Sequence, residues 1–266
     1  MKRILSAIAI GLLSLMPSFA AAGSSEAGQS IHSAAEVAAF SNRVQKDLAS
    51  RGANIAIVAR TGRDPESLPK GINYTHVAYF VFSRMKRADG TTYDGYRVYN
   101  LYQSADNDAQ SRLVQDSPAD FFASAYTLDA GIVIPDLRLQ KKLLKVIASP
   151  VYAKLHNPRY SVLANPRTSQ FQNCTEHTLD VLMAALYDTS DTAQIKANIA
   201  AHFTPQPIKL GGLKRALAPS ASKALTTEDH GNDVSTATFG SIARFMLEND
   251  LTDTVYRLTP TQAARF

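Results

Sequence analysis

A thiol becomes a useful nucleophile when one group stabilises its thiolate and another takes its proton. The chain holds one cysteine, Cys174, within the run Asn173-Cys174-Thr175-Glu176. Asn followed three residues later by Glu is a capping-box pattern, so a helix is expected to open at Cys174. Unpaired N–H groups and the helix dipole at such an end favour negative charge, lower the pKa of a thiol and can hold an oxyanion. A buried cysteine acting as a small hydrophobe fits the same count of one. His76, in Thr75-His76-Val77-Ala78, carries an imidazole that can accept the thiol proton or pair with the thiolate as a cation. A histidine satisfied inside an apolar strand is the plainer reading. Asn100, in Arg97-Val98-Tyr99-Asn100-Leu101, has a side-chain carbonyl able to hold an imidazole in one tautomer, or is an ordinary edge-strand residue.

Other chemistries lack their spacing. Glu176 and His177 are adjacent and point to different helix faces, a poor metal pair. Neither His-x-x-x-His nor Cys-x-x-Cys occurs, and there is no Gly-rich phosphate loop or Gly-x-Ser-x-Gly element. No metal and no cofactor is expected. His32, His156, His202 and His230 have no supporting pattern. Arg60 and Asp64 precede the His76 strand and are read by default as surface-loop residues within reach of a substrate.

The elements that must position these residues follow from pattern. Ser33 to Glu36 is a capping box opening a helix with Val37, Phe40, Val44 and Leu48 at helical spacing, ended by Gly52. Residues 54–60 and 74–84 read as strands, the second buried, with a loop over 61–71 between them. Asp89-Gly90 and Asp94-Gly95 mark a turn region, and 96–103 returns as a strand, giving an antiparallel hairpin with a long connection. Ser117-Pro118 starts a short helix. Residues 131–134 are a short apolar run, 136–148 a helix, and 160–164 another candidate strand. The Cys174 helix runs to Tyr187 with Leu179, Leu182, Met183 and Leu186 as its stripe. Helices are expected at 191–203 and 238–249, with a weakly patterned connection over 204–229. The order predicts an α+β fold with an antiparallel sheet.

Taken together, the His76 strand, a polar residue on the next strand and Asn173-Cys174-Thr175-Glu176-His177 opening a helix resemble the circularly permuted branch of the NlpC-like, papain-fold cysteine hydrolases. Lecithin:retinol acyltransferase and its relatives belong there, with several exported bacterial families. In ordinary members the cysteine precedes the histidine; in the permuted branch, as here, the histidine comes first. His76 matches the strand histidine of that branch, Cys174 its nucleophile, and Asn100 its third polar position, which is often His. The likeness spans roughly 54–187. The whole mature chain, including the tail around 239–251, resembles a family of uncharacterised exported bacterial proteins. His177 stands where an aromatic residue is common.

The resemblance implies a permuted papain-like core with the sheet packed against helices that include the Cys174 helix. It implies Cys174 as nucleophile, His76 as base and Asn100 as orienting group. Asn173, Tyr74 and His177 are expected as substrate-binding positions. The reaction would be hydrolysis or acyl transfer at an amide or ester, in a peptidoglycan peptide or a lipid or acylated protein. A non-catalytic envelope-binding or structural protein on the same fold is the alternative.

Composition sets the outer bounds. Of the 266 residues, 45% are hydrophobic and 19% charged, which suits a globular chain with a core of useful size. Met1-Lys2-Arg3, the apolar run Ile4 to Met16 and Ala20-Ala21-Ala22 form the three-part pattern of a cleavable signal peptide, so a periplasmic or secreted protein without a stable transmembrane anchor is expected. Removal of Lys2 and Arg3 lowers the net charge from +5 to +3, with the remaining Lys and Arg scattered, too mild a balance to predict nucleic-acid binding. The expected organisation is a signal peptide over 1–22, a catalytic domain over 23–190 and a helical C-terminal extension over 191–266 packed on the same domain.

Overall fold

In the computed structural model, residues 30–209, 222–252 and 254–265 are described. The expected signal peptide lies outside them. Seven strands form an antiparallel sheet in the order β4-β3-β2-β1-β5-β8-β9. They are β1 (Ile55–Arg60), β2 (His76–Lys86), β3 (Thr92–Gln103), β4 (Ser111–Asp116), β5 (Ala130–Ile134), β8 (Thr254–Leu258) and β9 (Ala263–Arg265). A separate two-residue pair joins β6 (Gln206–Pro207) to β7 (Ser235–Thr236).

Helices cover both faces, so the central strands are apolar on both sides. On one face α1 (Ala34–Ser50) and α2 (Pro118–Ala123) pack Phe40, Val44, Phe121 and Phe122 against Ala56, Val58, Ala78, Phe80 and Val98. On the other, α3 (Leu137–Ile147), α4 (Val151–Lys154), α5 (Cys174–Tyr187), α6 (Thr192–His202) and α7 (Phe239–Glu248) share one core with Ile55, Ile57, Ala59, Val77 and Tyr79. The alternation of side chains across β1 and β2 separates these two sets, as the period of a strand requires.

The capping signals act where the sequence places them. Ser33 and Glu36 form a reciprocal box at α1, and Ser117 and Asp120 form one at α2 with Pro118 in the first turn. Gly52 has a φ of 66° just past α1, the left-handed conformation in which glycine lacks the usual side-chain penalty.

Three expectations change. The β2–β3 connection is tight: Gly90 at φ 87° donates to Arg87 O, β3 begins at Thr92, and Asp94-Gly95 lies inside the strand opposite Arg84 and Ser83. Arg84 pairs with Asp94 across the hairpin, so this Asp is a cross-strand partner rather than a turn residue. Residues 160–164 form no strand; only an isolated bridge joins Tyr160 to Gln172. The 191–266 region is not purely helical, since β8 pairs with β5 and β9 with β8 in the main sheet. Gly131 on β5 lets Tyr74 and Phe239 meet edge-to-face across the sheet surface; a Cβ there would fall 2.6 Å from both rings. No helix among the described residues is long and apolar enough to cross a membrane.

Candidate active site

One end of the sheet collects the polar residues. β1 ends at Arg60, which stands opposite His76, the first residue of β2. β3 supplies Asn100 and Tyr102, and β4 ends at Asp116. Alternation turns the His76 side chain to the α2 face, where its ring stacks on Tyr102 at 4.7 Å between centroids and meets Phe121 at 5.3 Å.

Asn100 fixes the tautomer of His76. Its Nδ2 donates to Asp116 Oδ2 at 3.2 Å, so its Oδ1 is the atom facing His76 Nε2 at 3.1 Å. An amide oxygen only accepts, so Nε2 carries the proton and Nδ1 of the neutral ring is the basic nitrogen. Nδ1 is buried and has no hydrogen-bond partner among the described residues. Burial holds the His76 pKa well below the usual histidine value, the charge of Arg60 lowers it further, and the Asn100 contact opposes both only in part. The imidazole is therefore neutral at rest.

Arg60 is itself completely buried. Its Nη1 donates to Ser124 O at 3.2 Å and its guanidinium lies 5.4 Å from the centroid of the Phe121 ring. Nε and Nη2 have no hydrogen-bond partner among the described residues. Burial lowers the Arg60 pKa, and the neighbouring Tyr102, Cys174 and Asp116 partly restore it.

Cys174 comes to this end of the sheet from the opposite face, as the first residue of α5. Asn173 caps the helix, its Oδ1 accepting from Glu176 N at 2.9 Å while its Nδ2 donates to Val162 O at 3.0 Å. The thiol sits 3.9 Å from Thr75 O, one residue ahead of His76, and Thr75 N donates to Arg60 O at 3.1 Å. Thus one peptide segment touches Cys174, carries His76 and bonds to Arg60. Tyr79 on β2 anchors the first turns of α5 through a 2.8 Å bond to Thr178 O.

The capping box at α5 is only half formed. Glu176 does not reach back to the cap; its Oε1 accepts from Lys196 Nζ at 2.6 Å, and the same ammonium lies 2.7 Å from Asp180 Oδ1. Gln172 donates to Asp180 Oδ2 at 2.9 Å. Burial raises the carboxyl pKa values of Glu176 and Asp180. Burial alone would lower that of Lys196, but the two carboxylates more than offset it. This cluster ties α5 to α6.

The thiol is nearly closed off, with 4% of Cys174 exposed. Leu101, Tyr160 and Ala224 cover it. Ala224 belongs to a short turn, Lys223–Leu225, held down by Val162 N to Ala224 O at 2.8 Å, Ser161 Oγ to Thr226 O at 2.9 Å and Asn165 N to Asp229 Oδ2 at 2.7 Å.

The predicted substrate-binding positions fare differently. Asn173 is occupied as a cap. Tyr74 donates to Asp129 Oδ1 at 3.2 Å and packs on Phe239. His177 is buried between α5 and α4, with Nε2 3.3 Å from Tyr152 O and its ring edge-to-face with Tyr152; burial pushes its pKa down to about 3. Arg60, treated as a surface residue by default, together with Tyr102 and Asp116, is what sequence reasoning missed. A cation closing an otherwise apolar, doubly covered strand was the available signal. Among the described residues, no group of three or more His, Cys, Asp or Glu side chains is arranged to hold a metal ion.

The family described as an uncharacterised protein conserved in bacteria (DUF2145) matches residues 47–246. That range runs from the end of α1 into α7 and takes in every polar residue of the site. No curated protein and no solved structure matches the chain. Three quarters of the chain fits the family, and the protein belongs to it.

Proposed function

We propose that this protein is an exported thiol hydrolase or acyl transferase with a permuted papain-like core, in which Cys174 attacks an amide or ester carbonyl and His76 moves the proton. The observation that carries the reading is the chain Asp116–Asn100–His76. It leaves Nδ1 unprotonated and buried, next along the chain to the residue that the thiol touches. A merely structural histidine has no need of a fixed basic nitrogen without a partner, which costs about 1–3 kcal/mol when buried.

The steps balance simply. The sulfur forms a bond to the carbonyl carbon as the thiol proton passes to His76 Nδ1. The oxyanion rests on first-turn amides of α5 other than that of Glu176, whose N–H is taken by the cap. Collapse expels the amine or alcohol with the proton from Nδ1, leaving a thioester on Cys174. Water, or a second acceptor, gives its proton to Nδ1, attacks the thioester and restores the thiol. The substrate is a cell-wall peptide or a lipid or acylated protein, met in the periplasm or outside the cell after removal of residues 1–22.

A second reading has one observation in its favour. The cover of Leu101, Tyr160 and Ala224 over a 4% exposed thiol suits a binding protein that has kept the fold without turnover. The catalytic reading requires the Lys223–Leu225 turn to move. The test is incubation with amide, ester and thioester acyl donors followed by intact-mass measurement. The catalytic reading expects an acyl adduct on the wild-type chain, absent in Cys174→Ser and slowed at least about 100-fold in His76→Asn. A folded protein that takes no acyl group from any donor class supports the binding reading.

A further inference from the structure

We infer that Arg60 is the counter-charge of the Cys174 thiolate, a role that a thiol–imidazole pair would ordinarily give to the histidine. This rests on the reading of Cys174 as nucleophile and deepens it.

The placement is specific. Arg60 and His76 are register partners on adjacent strands, so their side chains share one face of the sheet. An imidazolium at position 76 would lie beside a guanidinium, between Tyr102 and Phe121, with no exposure to water. Among the described residues its one side-chain hydrogen-bond partner, Asn100 Oδ1, is neutral. Arg60 is equally buried, yet two of its three nitrogens have no hydrogen-bond partner among the described residues. A buried guanidinium is costly to retain unless its charge is answered. Asp116 is a standing carboxylate in the field of Arg60 and accepts from Asn100 Nδ2 at 3.2 Å. Cys174 is the second group in that field, and the one whose charge can appear near neutral pH. It reaches the same peptide, with its Sγ at Thr75 O and Thr75 N on Arg60 O.

The other titratable groups at this junction sharpen the assignment. Tyr102 from β3 is held protonated by burial. Tyr160 packs on the thiol from the segment before α5. Glu176, on the helix of the thiol, is paired with Lys196. Arg63, half-buried beside Tyr160, is the second cation at this junction; Arg60, wholly buried and bonded to the peptide that the thiol touches, is the one assigned to the sulfur charge. His76 stays neutral at rest and takes the proton only as the sulfur–carbon bond forms.

The test reads the thiolate by its ultraviolet absorbance against pH, with Cys174→Ser as the blank, in the wild-type chain, Arg60→Gln, Arg60→Lys and His76→Asn. The inference expects a wild-type midpoint below the ordinary ~8.5. Arg60→Gln should raise it by at least about one pH unit, Arg60→Lys should restore most of the difference, and His76→Asn should leave it within about half a unit. A rise on losing His76 with none on losing Arg60 overturns the inference while leaving an activated nucleophile in place. A wild-type midpoint at or above the ordinary value overturns both. If Arg60→Gln does not fold, His76→Asn still decides, and ring carbon-13 shifts of His76 supply a second readout. They should stay those of a neutral imidazole through the thiolate transition; a protonated ring over that range contradicts the inference.

Discussion

An imidazole is useful in this position only if its free nitrogen is the correct one. Asn100 does that work from a neighbouring strand, and Asp116 keeps Asn100 from flipping. Asn100→Ala should lower the rate of thioester formation on Cys174 by about 10–100-fold while the fold survives, because the ring loses its tautomer control but keeps its place between Tyr102 and Phe121. Stopped-flow acylation with an ester donor checks this; an unchanged rate would remove Asn100 from the machinery. His177 makes a prediction of another kind. Its folded pKa of about 3 lies below the ordinary value near 6.5, so the unfolded chain binds the extra proton first. The stability tied to its neutrality is complete above roughly pH 6.5 and is lost at about 1.4 kcal/mol per pH unit as the pH falls toward 3. His177→Gln should flatten the acid side of the stability curve by one proton's worth, measured by urea unfolding at several pH values. Cys174, His76 and Asn100 were legible as residue types in a suggestive order. Arg60 was not, because a cation is read as exposed unless its partner is visible, and here its neighbours arrive from five other segments.

At the scale of elements, the first turn of α5 is fixed by two attachments, the Asn173 cap and the Glu176–Lys196–Asp180 cluster. Lys196→Met would leave two buried carboxyls facing each other without a cation. It should cost about 3–5 kcal/mol of stability, read as a shift of the urea midpoint with the slope unchanged; a shift below about 1 kcal/mol would show that the cluster is not a structural tie. The Lys223–Leu225 turn is the second element of interest. Ser161→Ala removes its bond to Thr226 O and the support of Leu163 N. Alkylation of Cys174 should then quicken several-fold at a pH where the thiol is ionised. An unaltered rate would mean that access does not pass through this turn. Helix starts at Ser33, Ser117 and Asn173 were readable because caps are local chemistry. The tight β2–β3 turn was not, since Asp89-Gly90 and Asp94-Gly95 carry the same turn signal and only the pairing of Arg84 with Asp94 selects between them. Likewise β4 has mixed residues and a half-buried pattern, and its identity as a strand comes from pairing with β3.

Over the whole molecule, helices on both faces of one antiparallel sheet bury Arg60 and His76 completely and leave Cys174 at the seam between the faces. The C-terminal segment is part of that sheet. Removing residues 254–266 should expose the edge of β5 and the pockets of Tyr256 and Leu258, giving an aggregating chain rather than a trimmed one; a soluble monomer with a normal unfolding transition would show β8 to be dispensable. The α+β class followed from the order of strands and helices, whereas the place of β8 beside β5 is a long-range pairing that no local pattern encodes. The central claim is that Cys174 is an activated nucleophile, and since the chain has one cysteine the pH dependence of its alkylation by iodoacetamide tests it directly. Plateau rates report access through the cover, so the midpoint is the deciding quantity. The native protein should show a midpoint below the ~8.5 of its own urea-unfolded chain; a native midpoint equal to or above that of the unfolded chain would contradict the account.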